Sequence, residues 1–329
     1  MRACVLRKLL PVVLFAALIA AAVALFFPLR PARAPLFAGG LLRARPEELL
    51  HKSVEALSQS APSDEERFHR PSKRTPYPNS YQFANFREDG SLPAFARPEE
   101  VILAYYGILR DAANLEGYLG GCGTVGWASL PYPLAYTCLS ADYRDAVSEE
   151  AFFDSFAGTG HITLLTLEPI GVAEVASETR YTYFVELECI TAQKDTFLND
   201  MQEAGTMFQY YYGIVTVVPE AGGYAISSLS YTPEDFLCAP FHGWAYDAEA
   251  IIGIVYTEQL QLVDWVSFSE TSGVVTSYFC DGPGGKYRLD FVRLANGWDL
   301  LLRESILYDG RWVEAELLPQ SWSYLKARP

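Results

Sequence analysis

The chain has 329 residues, half of them hydrophobic and a fifth charged, with a net charge of −15 at neutral pH. That length and apolar content can bury a core and exclude wholesale disorder. Residues 101–329 carry 11 Lys and Arg against 30 Asp and Glu, an acidity that repels phosphate backbones and argues against nucleic acid as a partner.

Residues 1–34 hold five cations and no acid, and Leu9 to Phe27 runs for 19 residues without a charge. At 1.5 Å per residue a helix over that run reaches about 28 Å, close to the ~30 Å hydrocarbon core of a bilayer. Pro11 falls in the first turn, where its missing N–H costs little. An uncleaved membrane anchor over residues 9–27 is expected. The competing reading is a cleaved signal peptide, whose Ala22-Val23-Ala24 site would leave Leu25-Phe26-Phe27 at the new terminus. Arg2, Arg7 and Lys8 face Arg30, Arg33, Arg43 and Arg45 across the run, so the positive-inside rule is nearly balanced. A short basic stretch before an apolar run is the usual export signal. It sets the expected topology: single pass in the cell membrane, with the C-terminal body extracytoplasmic.

Residues 35–97 read as a short helix and a linker arm. Leu49, Leu50, Val54 and Leu57 follow helical spacing from Pro46 to about Ser60, and residues 61–97 mix Pro, Ser, Asn and both charges. The body opens at Arg97-Pro98-Glu99-Glu100, a helix start, and the helix is expected to reach about Asn114. A Gly-rich loop follows from Gly117 to Gly126, and Ser148 caps a second short helix. After Gly160 the period changes to alternation, giving strands at 161–172, 179–192, 207–218 and 224–231. Residues 241–329 read as strands almost throughout, at 250–256, 260–268, 274–280, 286–294, 298–306 and 311–317. Asn296-Gly297 marks a hairpin, and its flanks echo the hairpin around Gly222-Gly223.

Six cysteines are present, at 4, 122, 138, 189, 238 and 280, without metal-ligand spacing. Cys189 reads as a buried small hydrophobe. A Cys122–Cys138 bridge would close a short loop and add roughly 3 kcal/mol in an oxidising compartment. Whether it forms is left open.

The order of a Pro-Glu-Glu helix with Tyr105-Tyr106, the segment Tyr136-Thr137-Cys138-Leu139-Ser140-Ala141-Asp142-Tyr143, a Ser148-Glu149-Glu150 helix and long strands ending in Gly222-Gly223-Tyr224 resembles the NTF2-like (cystatin-like) cone over residues 98–232. The resemblance implies an α+β fold, in which helices pack into a curved antiparallel sheet. It also implies an anchored accessory that binds a partner protein or small ligand. The expected organisation is an anchor at 1–34, an arm at 35–97, an NTF2-like domain at 98–240 and a β-rich extension at 241–329. Enzymatic members of the family place an acid or His inside the cone. On that model His161 with Asp154 or Glu168 is the catalytic alternative, an isomerase- or hydrolase-type pocket. A purely structural spacer is the third reading.

Other chemical signals are weak. Gly121-Cys122-Gly123-Thr124-Val125-Gly126 matches a dinucleotide pattern, but Pro131 and Pro133 follow where a helix is needed. Gly282-Pro283-Gly284-Gly285-Lys286 lacks the earlier glycine and the Ser/Thr of a phosphate loop and reads as a turn. No cofactor and no metal is expected. Glu186 and Glu188 share a strand face, expected to be solvated. Tyr105, Tyr211 and Trp244 are the candidate ligand-binding aromatics. The residues point to binding or assembly outside the membrane rather than to an enzyme.

Overall fold

A computed structural model of the protein describes residues 35–43, 77, 79–86, 91–119, 126–176, 178–194, 207–220, 222–234, 247–271, 273–295 and 299–327. The apolar run at 9–27, the helix expected near 46–60, Cys122, Cys238, His51, His69, His242, Trp244 and the Asn296-Gly297 turn lie outside these residues. Among the described residues no helix is long and apolar enough to cross a membrane.

Two short strands open the fold, β1 (Leu36–Phe37) and β2 (Gly40–Leu42), joined through Ala38 and Gly39 at positive φ. Gly39 is required twice, by its φ of +80° and because an added Cβ would lie 2.3 Å from the Tyr105 hydroxyl. Helix α1 (Pro98–Leu109) starts where Glu100 accepts from the N–H groups of Ala96 and Arg97 at 3.0 and 3.2 Å. These bonds satisfy two of the donors that precede the first turn. Strand β3 (Tyr118–Leu119) and the short helices α2 (Tyr132–Tyr136), α3 (Ala141–Ala146) and α4 (Glu149–Asp154) follow. Ser140 and Ser148 cap α3 and α4 by accepting from Tyr143 and Ala151 N–H.

The long strands are β4 (Thr159–Val175), β5 (Glu178–Thr191), β7 (Met207–Glu220) and β8 (Gly223–Pro233), with β6 (Gln193–Lys194) pairing β3. The first sheet runs β1-β2-β8-β7-β5-β4, antiparallel except where β2 joins β8 in parallel. Alternation divides its residues between two faces. Val185, Leu187 and Cys189 on β5 and Tyr211, Val215 and Val217 on β7 pack with α1, α2 and α4 in a first core. From the opposite face Phe184, Tyr212 and Ile214 enter a second core.

That second core belongs to residues 247–327. Helix α5 (Ala248–Ile251) continues as a π-helical stretch, Ile252–Gln259, and lies on a five-stranded antiparallel sheet. The sheet runs in chain order from β9 (Trp265–Thr271) through β10 (Val274–Cys280), β11 (Lys286–Arg293) and β12 (Asp299–Tyr308) to β13 (Arg311–Glu314). Ile251, Ile252, Val255 and Tyr256 pack on Phe279, Leu289 and Phe291. The two halves share one plan, a helix and then an antiparallel meander. Tyr106 and Tyr256 each stand nine residues past their helix N-cap and bond to the meander's fourth strand, at Tyr231 and Glu304.

Several expectations are corrected. Residues 250–256 are helical: Asp247 caps the start by accepting from Ala250 N–H at 2.7 Å, and Ile251, Val255 and their neighbours bury one helical face. Packing there overrides the strand preference of β-branched residues. Strand β9 begins at Trp265, so 260–264 is irregular. Helix α1 ends at Leu109, and Asn114 bridges Thr159. Residues 36–42 are in the sheet, and Glu186 faces the second half, not solvent.

Candidate functional site

The face of the first sheet that the helices cover is filled. Tyr105, Phe152, Phe156 and Tyr231 are fully buried there. The Tyr105 hydroxyl donates to Ala38 O at 3.1 Å, and the Tyr106 and Tyr231 hydroxyls share a bond of 2.8 Å. Tyr143 donates to Gly39 O. Burial drives Tyr105, Tyr106 and Tyr231 well above the ordinary tyrosine pKa, so these hydroxyls stay neutral. It likewise raises the thiols of Cys138 and Cys189, both free and buried, which leaves them inert.

The described structure does not bring His161 together with Asp154 or Glu168 as a pair. His161 stands at the start of β4 opposite Ile190, half-buried. Its pKa is lowered, first by desolvation and then by Arg110, while Glu188 and Asp111 oppose the shift. Asp154 is exposed at the end of α4 and is not among the charges acting on the imidazole. Glu168 lies seven residues along the same strand, roughly 20 Å away at strand rise. Its pKa is raised by desolvation. Each catalytic group must reach the reacting atoms within about 3 Å or through one water, and at that separation His161 and Glu168 cannot both reach one small reacting group.

Of the three candidate aromatics, Tyr105 is sealed in the core. Tyr211 stacks on Phe37 at 4.2 Å and donates to Gln209 Oε1 at 2.8 Å. Trp244 lies outside the described residues. Tyr210 and Tyr212 face the other side of the sheet from Tyr211, as alternation requires.

A concavity among the described residues lies instead between the two sheets. A cleft of about 810 Å³ opens between Ile170–Ala173 of β4, Arg303 and Glu304 of β12, and Lys326. Arg303 spans it at one side, donating to Ile170 O. Glu304, 1% exposed, is its anchored floor. Its Oε1 accepts from the Tyr256 hydroxyl at 2.7 Å and from Leu317 and Leu318 N–H, and Lys326 Nζ lies 3.4 Å from Oε2. With both oxygens engaged, Glu304 holds structure rather than serving as a free base. Burial, with Glu304 beside it, pushes the Tyr256 hydroxyl far up.

Closer to the seam, Glu186 accepts from Thr166 Oγ1 at 3.0 Å and from Ala295 N–H at 2.8 Å. Tyr210 donates to Glu188. Neither Glu186 nor Glu304 was legible as a buried carboxylate: the groups that cover them lie far along the chain, at Ala295 and at Tyr256 on the helix. Among the described residues no group of three or more His, Cys, Asp or Glu converges to hold a metal.

These observations define an α+β protein of two packed sheets, one mixed and one antiparallel, with filled helical faces and an open cleft between the sheets. No family model and no curated protein matches the chain. Among solved structures it is similar to one described as "Ntf2 like protein involved in plasmid conjugation", at 13% identity over 53% of this chain and 84% of that one. The TM-score is 0.18, so the description of this fold rests on its own topology.

Proposed function

We propose that this is a membrane-anchored, extracytoplasmic protein that works by binding a partner protein or small ligand, with an NTF2-like cone at 98–232 as its first half. The supporting observation is the filled helical face of the first sheet. With Tyr105, Tyr231, Phe152 and Phe156 packed into it, the described residues leave no chamber there for a reaction, and recognition falls to outward features. The cleft between the sheets is one of these, with apolar walls at Ile170 and Val172, cations at Arg303 and Lys326 and carboxylates at Glu304, Glu314 and Glu316. A few convergent polar groups among apolar walls are what a binding site requires. Anchoring rests on the uncharged run from Leu9 to Phe27, long enough to span a bilayer.

The test uses the full-length chain in its own membranes. A photo-cross-linking residue at Val172 or Gln320, both on the cleft, should give an adduct of discrete mass. The same residue at Leu130, exposed but away from the cleft, should not. Identical adduct patterns from all three positions would remove the binding reading. Alkaline carbonate should leave the chain in the membrane fraction, and protease added outside intact cells should digest the body. A body digested only after lysis would reverse the topology.

A further inference from the structure

The two sheets end in four edge strands, and three of them are protected. On the first sheet, β1 has two residues, while β4 carries Pro169 and three register shifts. Bulges and proline are the devices that keep an edge from pairing. On the second sheet, β13 has four residues, with Arg311 and Glu314 at its ends. Strand β9 is longer than β1 and β13 and has no proline, and Glu270 is its one charged residue. It runs seven residues, Trp-Val-Ser-Phe-Ser-Glu-Thr, and pairs β10 without a register shift. Its outer side is open among the described residues, with Trp265 59% and Phe268 37% exposed.

The hydrogen-bond phase of β9 fixes which groups are free. Arg293 N–H donates to Gly273 O, so the odd-numbered residues of β10 bond to β11 and the even-numbered ones to β9. Val274, Thr276, Tyr278 and Cys280 are therefore matched by Thr271, Ser269, Ser267 and Trp265. Val266, Phe268 and Glu270 point their N–H and C=O groups away from the sheet. That outward set is symmetric about Phe268, which is also the midpoint of the strand.

We propose that β9 pairs antiparallel with β9 of a second copy of this chain, about a two-fold axis through Phe268, joining two five-stranded sheets into one. In that register Phe268 opposes the partner copy's Phe268, and Val266 opposes Glu270. Ser267 meets Ser269, and Trp265 meets Thr271. All seven residues pair, and the three outward positions exchange roughly six main-chain bonds. The only ionisable side chain on the strand, Glu270, falls across from a valine rather than across from its own copy, so like charges do not oppose. A hollow of about 410 Å³ lies beside Phe268, lined by Ala248 and Val275 and by the charged Asp247, Glu249, Glu270, Arg293 and Asp299. Self-pairing of this kind is isologous and closes at two copies. This goes beyond the cleft-binding reading above and does not depend on it.

The full-length chain in detergent is the sample, with mass read by light scattering at tens of micromolar. The wild-type chain should be a dimer. Phe268→Lys and Phe268→Glu should each run as monomers, because the substitution sets like charges against one another across the axis. Mixing the two variants should restore the dimer, which a misfolded chain cannot do. Val313→Lys, on the other edge of the same sheet, should leave the dimer intact. Independently of any folding defect at Phe268, a photo-cross-linker at exposed Ser269 should give self-adducts mapping to residues 265–271. A monomeric wild type, an unaltered dimer in Phe268→Lys, no recovery on mixing, or adducts elsewhere would each overturn the pairing. A monomer leaves cleft binding untouched, because the Val172 and Gln320 adducts report on that separately.

Discussion

Glu304 concentrates much of the second half's order in one side chain. A carboxylate at 1% exposure is costly unless its lone pairs are filled, and here Tyr256, Leu317, Leu318 and Lys326 fill them. The helix, the fourth strand and the segment after β13 are thereby tied to a single point. Tyr256→Phe removes one donor and leaves the ring in place. A loss of about 2 kcal/mol in urea unfolding is expected, with the near-ultraviolet spectrum otherwise kept. A double-mutant cycle with Glu304→Gln should give a coupling of comparable size, and additive losses would show that the bond contributes nothing.

His161 offers a second reading at this scale, in pH. Burial holds its folded pKa below the ordinary value near 6.5. Above that value both folded and unfolded chains carry neutral imidazole. As pH falls through it, the unfolded chain takes up the proton more readily, so stability is lost on acidification. Between about pH 7.5 and about pH 5.5 the wild-type urea midpoint should therefore fall further than that of His161→Gln. Parallel falls would mean that the imidazole is not desolvated.

The elements show where local pattern sufficed. Strands β4, β5, β7 and β8 were legible because each alternates over many residues and one face is strongly apolar, as in Tyr183, Val185 and Leu187. Caps at Ser148 and the acidic start at Glu99-Glu100 were equally readable. Strand β2 was not, because Gly40-Leu41-Leu42 is too short to show a period, and its partner Ser230-Tyr231 lies far along the chain. The α5 segment misled in another way: Ile251, Ile252, Ile254 and Val255 are strand formers, yet they line a helix wound partly as π. Gly253 sits in that stretch, and nothing lies within 4 Å of where its Cβ would be. Gly253→Ala should raise stability by about 0.5–1 kcal/mol by limiting the unfolded chain. A loss of stability would mean that the π winding itself needs glycine.

For the molecule as a whole, the decisive contact is the back of the first sheet against the second core. Phe184 is fully buried, and Tyr212 and Ile214 join it beside Leu289 and Phe291. Phe184→Ala should cost about 3–5 kcal/mol. It should also lower the melting of both halves together, as one calorimetric transition. Two separate transitions, with only one of them displaced, would show the halves to be energetically independent. No sequence pattern displayed this contact. Glu186 looks solvent-directed until the distant cover at Ala295 is known.

Glu186 carries a practical consequence for anyone cutting or recombining this gene. A boundary near residue 240 looks like a natural cassette junction, yet severing there would bring a carboxylate and three large apolar groups into water on one fragment. On the other it would strip Ala295 of its acceptor. Homologous replacement of the second half would succeed only with an insert that restores a main-chain donor at that spot, so the two halves should be exchanged as a pair.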